Sequence, residues 1–427
     1  MRSRLTVALG RTARLAARVR GGGSGGTAFP GLVMERTDPG FLERTLGRLP
    51  RGVIVVSGTN GKTTTTKMVV QLLREQGLKV FTNRTGSNFV RGVLASLLTE
   101  VDAAGNLDAD IAVLELDEAH AVHFVARVRP RACLLLNVMR DQLDRFGEID
   151  YTASLLHSIA QATSDVVVLN GDDPRLAAPA FLEGVSARVV SFGAGEDLRS
   201  LFLSDDDLRT GLVSPRQAGQ APGPRVTLEA IDGQRATVRV DGVSHEVSFA
   251  IPGVHNLLNA CAALGVVLEV LGEDADLPGL LTTLGTVQTL DGRPVQLSLV
   301  KNPAGFRMGL LSAASQAQDG EVVVVAINDE YADGRDMSWL WDVDFSALRA
   351  GGVAVVTGVR AWDMALRLRY DEVEVAEVEP DLRKAVALMR RVAADTDRPM
   401  RVFTTYTAML ALRSILGEMT DVEEVMS

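Results

Sequence analysis

The sequence predicts an α/β protein. It should have a central domain with a mostly parallel sheet, and a smaller Rossmann-like domain at its C-terminal end. Three observations carry this. Short β-branched runs alternate with helical patterns across residues 53–193 and again across 296–427. The first run, Val53-Ile54-Val55-Val56, leads through a turn with two glycines into a helical pattern opened by Lys62-Thr63-Thr64. Between the two blocks, Asp291-Gly292-Arg293-Pro294 punctuates the chain as a hinge. The expected organisation is a basic helix and Gly-rich segment over 1–50, a central domain over 51–290 and the C-terminal domain over 291–427.

Composition sets limits. A chain of 427 residues has room for more than one core. A net charge of −10 argues against nucleic acid as the default partner. Cys133 and Cys261 both sit in apolar patterns and read as buried small hydrophobes, which fits a reducing cytoplasm. No stretch reads as a membrane span.

In chain order, residues 1–20 hold arginines at 2, 4, 11, 14, 18 and 20 and no acid, with leucines and valines among them. A targeting peptide, a basic helix near an anionic surface, and a short helix packed on the next domain all fit this pattern. Gly21-Gly22-Gly23-Ser24-Gly25-Gly26 follows as a hinge or substrate-contacting loop. Strands are expected at 78–81, 111–116, 132–138, 166–169 and 189–192. Residues 195–225, rich in Asp, Gly, Pro and Gln, read as an irregular insertion. Three alternating strands over 225–250 are joined by Asp232-Gly233 and Asp241-Gly242 hairpin turns, and a helix starts at His255-Asn256. In the last domain strands are expected at 296–300, 322–327, 353–357, 373–378 and 401–405. Helices should fill 305–317, 360–369, 381–393 and 407–416.

The strand-turn-helix at 53–64 is a phosphate cradle. Unpaired N–H groups of a helix's first turn, and its positive dipole end, favour an anion. Gly58 and Gly61 let the backbone approach, flanking Thr59 and Asn60. Lys62 supplies a point charge for terminal phosphates and the Thr63 hydroxyl suits Mg²⁺, while Thr64 belongs to the Lys62-Thr63-Thr64 run that opens the helical pattern. An ordinary glycine turn with an exposed lysine is the plain alternative. No Asn-Lys-x-Asp guanine-reading segment follows, so ATP is the expected nucleotide. Glu115, at the end of a central strand beside this loop, can complete a Mg²⁺ shell of oxygen ligands; its alternative is a solvated acidic turn, Glu115-Asp117-Glu118. A loop with Asp333, Asp336, Asp342 and Asp344, beside Trp339 and Trp341, reads as a site, an interface or a cap for the next helix.

The short loop Gly58-Thr59-Asn60-Gly61-Lys62-Thr63-Thr64 resembles that of the Mur ligases and folylpolyglutamate synthases. The likeness continues at Leu114-Glu115-Leu116-Asp117-Glu118, at residues 137–147, at Asn170-Gly171-Asp172-Asp173-Pro174 and at His255-Asn256-Leu257-Leu258-Asn259-Ala260. It implies a Mur ligase-like central ATPase domain that phosphorylates a carboxylate for attack by an amine. It also implies metal binding by Glu115, adenine-side contacts from Asn256 and Asn259, and an ATP-contacting Arg293; helix capping is the plain role for Asn256. Gln142 stands where those ligases have a metal-binding histidine, and an amide is a weak ligand, which leaves a second Mg²⁺ open. Such ligases acting on UDP-linked sugar peptides carry a domain ahead of the loop for which the spacing here leaves no room.

Asn302-Pro303-Ala304-Gly305 with Asp333-Gly334-Arg335-Asp336 and Ser338-Trp339 is similar to the MurT family, ligase-like subunits of lipid II isoglutaminyl synthase. That resemblance implies a GatD-like glutaminase as heterodimer partner, with Asp336 completing its Cys-His-Asp triad. It implies lipid II as membrane-linked substrate, amidated at the D-glutamate α-carboxyl in peptidoglycan synthesis. The expected setting is the cytoplasm, with the inner membrane face as a second reading. Many members carry a four-cysteine zinc ribbon; residues 195–225 hold no cysteine, so no zinc is expected. Two other functions fit the same residues: a ligase adding an amino acid to a carboxylate, and a non-catalytic nucleotide-binding scaffold.

Overall fold

The structure is a computed structural model that describes residues 2–20, 28–83, 88–139, 149–204, 207, 221–232, 235–249, 254–284, 295–316, 322–330, 333–396 and 400–417. Gln142, Arg293 and, within the 195–225 insertion, residues 205–206 and 208–220 lie outside the described residues.

The chain opens with α1 (Arg2–Arg20), α2 (Ala28–Thr37) and α3 (Phe41–Leu46). There follow β1 (Val53–Ser57), α4 (Lys62–Glu75), β2 (Val80–Thr82), α5 (Val90–Glu100), β3 (Ile111–Glu115), α6 (Glu118–Val125) and β4 (Ala132–Leu135). Next are α7 (Ile149–Ala162), β5 (Val166–Asn170), α8 (Pro179–Leu182), β6 (Arg188–Ala194), β7 (Pro224–Asp232), β8 (Arg235–Val240) and β9 (Val243–Ser248). Then come α9 (Val254–Leu271) and α10 (Leu277–Leu284). The last block holds β10 (Val295–Leu299), α11 (Pro303–Gln316), β11 (Val322–Ala326), β12 (Val353–Thr357) and α12 (Ala361–Tyr370). It ends with β13 (Val375–Glu379), α13 (Leu382–Thr396), β14 (Met400–Thr404) and α14 (Tyr406–Gly417).

These strands form two sheets. The larger has the order β2-β3-β1-β4-β5-β6-β7-β8-β9, the smaller β10-β14-β11-β12-β13. The larger is parallel from β2 to β7 and turns antiparallel only at β7-β8-β9; the smaller is wholly parallel. The α/β expectation is what is seen.

Why β1 is an unbroken apolar run follows from its place at the centre of the larger sheet. Ile54 and Val56 face one core with α4 and α9, while Val53 and Val55 face the other with α5 and α6. A strand covered on both faces has no polar side to alternate. The smaller sheet repeats the device, with Val323 and Val325 on one face and Val322 and Val324 on the other. The hairpin at Asp241-Gly242 has positive φ at both residues, +49° and +86°, as a two-residue type I′ turn requires.

Two expectations need correction. α9 with the turn after it, residues 254–274, is long and apolar enough to cross a membrane. It is instead the core helix of the larger domain, 78% of its apolar window being buried inside the protein, so the covering sheet takes the place of lipid. β4 stops at Leu135 rather than running to 138, because the next residues turn to grip the loop after β1.

Candidate active site

The loop Gly58–Gly61 joins β1 to α4, whose first residue is Lys62. Gly58 (φ +133°) and Gly61 (φ +84°) adopt backbones that only glycine takes easily. Space forbids a Cβ as well. At Gly58 it would lie 3.0 Å from the Asn137 amide nitrogen, and at Gly61 2.8 Å from Asn259 Oδ1. Asn137 clamps the loop in both directions. Its Oδ1 accepts from the Asn60 amide at 2.8 Å, its Nδ2 donates to the Asn60 carbonyl at 3.1 Å, and its own carbonyl accepts from the Thr59 amide at 3.0 Å. Thr59 Oγ1 lies 3.1 Å from the Met139 amide that donates to it. Behind Asn137, Asp173 Oδ2 accepts from the Val138 amide at 2.6 Å, and burial pushes that carboxyl up to about 6.

The charges here are buried, which overturns the solvated-turn alternative. Glu115 is 8% exposed and Glu118 3%. Thr63 Oγ1 donates to Glu115 Oε1 at 2.8 Å. Burial holds the Glu115 carboxyl above its ordinary range, against the pull of the Thr63 hydroxyl and of Lys62, Lys301 and Lys67. Lys62 Nζ pairs with Glu118 Oε1 at 3.3 Å and donates to the carbonyls of Gly58 (2.5 Å) and Thr59 (3.3 Å). The lysine is therefore not the exposed one of an ordinary turn. The two oxygen ligands predicted for Mg²⁺, Thr63 and Glu115, face one another directly. Asn83 fixes the carboxylate's backbone by exchanging two 2.9 Å hydrogen bonds with Glu115.

Two further elements reach the loop. α9 brings Asn259 against Gly61, and Asn256 lies in its first turn, inside the helix rather than capping it. From the smaller domain, Asn302 Nδ2 donates to Asn60 Oδ1 at 3.4 Å, while its Oδ1 caps α11 by accepting from the Gly305 amide at 2.7 Å. Asn137, Asn83, Glu118, Lys301 and Asn302 were given no role from sequence. For Asn302 a signal existed, since Asn before Pro is a helix-start signature.

The other predicted group lies at the C-terminal edge of the smaller sheet. Asp336 is exposed. Its Oδ1 accepts from the Ser338 amide at 2.9 Å, and hydrogen bonds from Ser338 hold its carboxyl below the usual range. The capping alternative is met only in that Asp336 accepts from the first residue of the short turn Ser338–Asp342, and its carboxylate stays exposed. The neighbouring Asp333 behaves differently. It is buried, accepts from the Thr407 amide at 2.7 Å and from the Thr407 hydroxyl, and so ties the loop to the start of α14. Asn328 adds bonds to Thr407 Oγ1 (3.1 Å) and from the Val359 amide (3.0 Å). The two tryptophans also part. Trp339 is core, packed near Phe306, whereas Trp341 is half exposed and meets Tyr370 edge-on at 5.1 Å. Trp362, Leu366 and Tyr370, at helical spacing along α12, are all exposed.

Residues 56–267 match the Mur ligase middle domain and residues 299–409 the MurT ligase C-terminal family. The chain is 30% identical over 416 residues to the lipid II isoglutaminyl synthase (glutamine-hydrolyzing) subunit MurT of Staphylococcus aureus, covering 91% of this chain and 92% of that one. The chain belongs to the MurT family. A Streptococcus pneumoniae MurT subunit is 28% identical, with 94% and 95% covered. Among solved structures, the MurF ligase of Thermotoga maritima in complex with ADP superposes with a TM-score of 0.63 at 18% identity, covering 89% of this chain and 82% of that one. The folylpolyglutamate synthase of Mycobacterium tuberculosis, complexed with ADP and AMPPCP, gives 0.58 at 18%, covering 90% and 96%. The MurT-family chain thus has the Mur ligase fold. Membership makes it a subunit of a peptidoglycan ligase.

Proposed function

We propose that this chain is the ATP-using subunit of a glutamine-dependent amidating ligase. It activates the D-glutamate α-carboxyl of the lipid II stem peptide, and a GatD-like glutaminase supplies the ammonia. The observation that carries the reading is a division of equipment within one chain. The phosphate-loop residues are complete and locked in place. Both cysteines of the chain, by contrast, are buried, with thiols pushed up to about 12, so neither is poised to attack glutamine. The carboxylate a Cys–His pair would need, Asp336, faces outward. The central domain is read as 51–290 and the C-terminal domain as 291–427.

In this reading the substrate carboxylate oxygen attacks the γ-phosphorus of ATP and ADP leaves. Ammonia then attacks the acyl carbon, phosphate departs with the former carboxylate oxygen, and a proton is lost to give the amide. Activation is needed because a carboxylate is a poor electrophile. The Gly61–Thr64 amides at the start of α4 bind phosphate oxygens, while Asn137 holds the Thr59 and Asn60 amides in place. Lys62, already facing the loop's interior, trades its carbonyl partners for phosphate oxygens while Glu118 keeps it aimed. Thr63 and Glu115 would hold a Mg²⁺ ion, which when bound offsets phosphate charge. Asn256 and Asn259 are read as adenine-side contacts, and Arg293 as a further ATP contact.

Asp336 would accept from the partner histidine, fix its tautomer and stabilise its cation so that the neighbouring thiol can attack. The exposed face of α12 with Trp341 offers that partner an apolar seat. α12 is joined to the turn after Asp336 through Arg367, which donates to the Leu340 and Val343 carbonyls at 3.2 and 2.5 Å.

The test is amidation of lipid II by the purified chain and partner, followed by mass spectrometry. Amide should form only with ATP and with glutamine or ammonium. Amide formation without ATP, or an amino-acid-extended product, would sink the reading.

A further inference from the structure

We propose that the outward face of α1 is a peripheral membrane contact that seats the chain on an anionic bilayer surface. The inference rests on the reading above only in that a lipid-linked substrate gives such a contact a use. Its own evidence is the helix.

The first twenty residues carry six arginines and no acid. The whole chain is −10 and this segment +6, so the remaining residues carry −16. Positive charge is thus concentrated at one end of an acidic protein. Among the described side chains, the helix is docked through one face. Val7 and Ala13 are buried, and a Cβ on Gly10 would lie 2.9 Å from Leu98 and from Met34, so α1 lies tight on α2 and α5. Arg11 secures the helix by donating to the Val101 carbonyl at 3.0 Å.

The opposite face is apolar and open. Leu5, Ala8, Leu9, Thr12, Leu15 and Ala16 recur at helical spacing and are all exposed, Leu5 and Leu15 each at 62%. A soluble helix normally turns charge outward on such a face. Here leucines point out with Arg4 exposed among them, the arrangement of a helix that lies in the headgroup layer with its apolar face sunk and its arginines against lipid phosphates. An anionic bilayer satisfies both features at once, whereas a nucleic acid would leave the leucines wet.

The experiment uses the full chain and sedimentation with vesicles of phosphatidylcholine containing about a third phosphatidylglycerol. The wild type should pellet with these, much less with phosphatidylcholine alone, and progressively less as salt rises. The double variant Leu5→Asp/Leu15→Asp, made at exposed positions, should partition at least about ten-fold more weakly. Arg4→Ala should weaken binding about five-fold. Unchanged thermal unfolding would show that the variants fold. Amidation of lipid II in detergent micelles should be unaffected in them, so loss of vesicle binding and failure of the proposed reaction are read separately. Absent pelleting, equal pelleting by the variants, equal binding to neutral vesicles, or binding to duplex DNA without vesicle binding would each overturn the proposal.

Discussion

The phosphate loop and the Asp336 loop both end parallel strands, yet they handle charge in opposite ways. At the first, Lys62, Glu115 and Glu118 are buried together, and burial holds Glu115 above its ordinary range. At the second, Asp336 is exposed, turned outward by Ser338 and held below the usual range. The physical lesson is one of completeness. A site that works on a small substrate brings its counter-charges inside, where low dielectric strengthens them. Asp336, proposed above to serve another molecule's histidine, is held by hydrogen bonds from Ser338 and left unburied.

The largest expected effect separates the two regions outright. Asp336→Asn should cut glutamine-driven amidation by about 10⁴-fold, as when a triad carboxylate is made neutral. Ammonium-driven amidation should be unchanged. Asn caps the Ser338 turn as well as Asp does, so a fall in both assays would mean that Asp336 is structural.

Lys62→Ala should lower both assays together, by about 10²–10³-fold, and leave glutaminase activity of the complex in place. Wild-type amidation by this variant at saturating partner would instead favour the scaffold alternative. Glu115→Gln should cost on the order of a hundred-fold in amidation, partly recovered by raised Mg²⁺. Recovery is the sharper readout, because Gln can still accept from Thr63 and preserve the fold.

The two regions should also differ in pH response. The Asp173 carboxyl, raised to about 6 by burial, binds a proton in the folded state that the unfolded chain has already lost. Its stabilising contribution is therefore full below about pH 4 and is lost as pH rises through about 6, a swing of about 3 kcal/mol. Thermal unfolding across that range should show this component in the wild type and lack it in Asp173→Asn. Asp336, shifted the other way, should contribute no titration in that window. Smallest in its effect on the chain itself, Trp362→Ser/Leu366→Ser should leave stability within about 0.5 kcal/mol. It should weaken partner association about ten-fold or more if the α12 face is the seat; equal affinity by titration calorimetry would remove that face from consideration.

Much of this was legible in the chain. The β-branched runs gave the strands to within a few residues, and Gly58 to Thr64 announced the cradle because phosphate binding needs a fixed local order of residue types. Asp241-Gly242 announced its turn for the same local reason. The clamp by Asn137 was not legible, because it joins residues 77 positions apart. Nor was the difference between Asp333 and Asp336, three positions apart in one acidic loop. Only the folded chain sends one to the start of α14 and the other to solvent.

Local chemistry by itself determined the α/β alternation, the phosphate loop and the residue types able to hold nucleotide and metal, since each depends on neighbours along the backbone. Tertiary structure alone decided which acids are buried as counter-charges and which stay exposed to solvent. It also decided that α9, apolar enough for lipid, lies in a protein core instead. Those outcomes depend on what packs against a residue from distant parts of the chain, and solvation is set by that packing rather than by sequence neighbours.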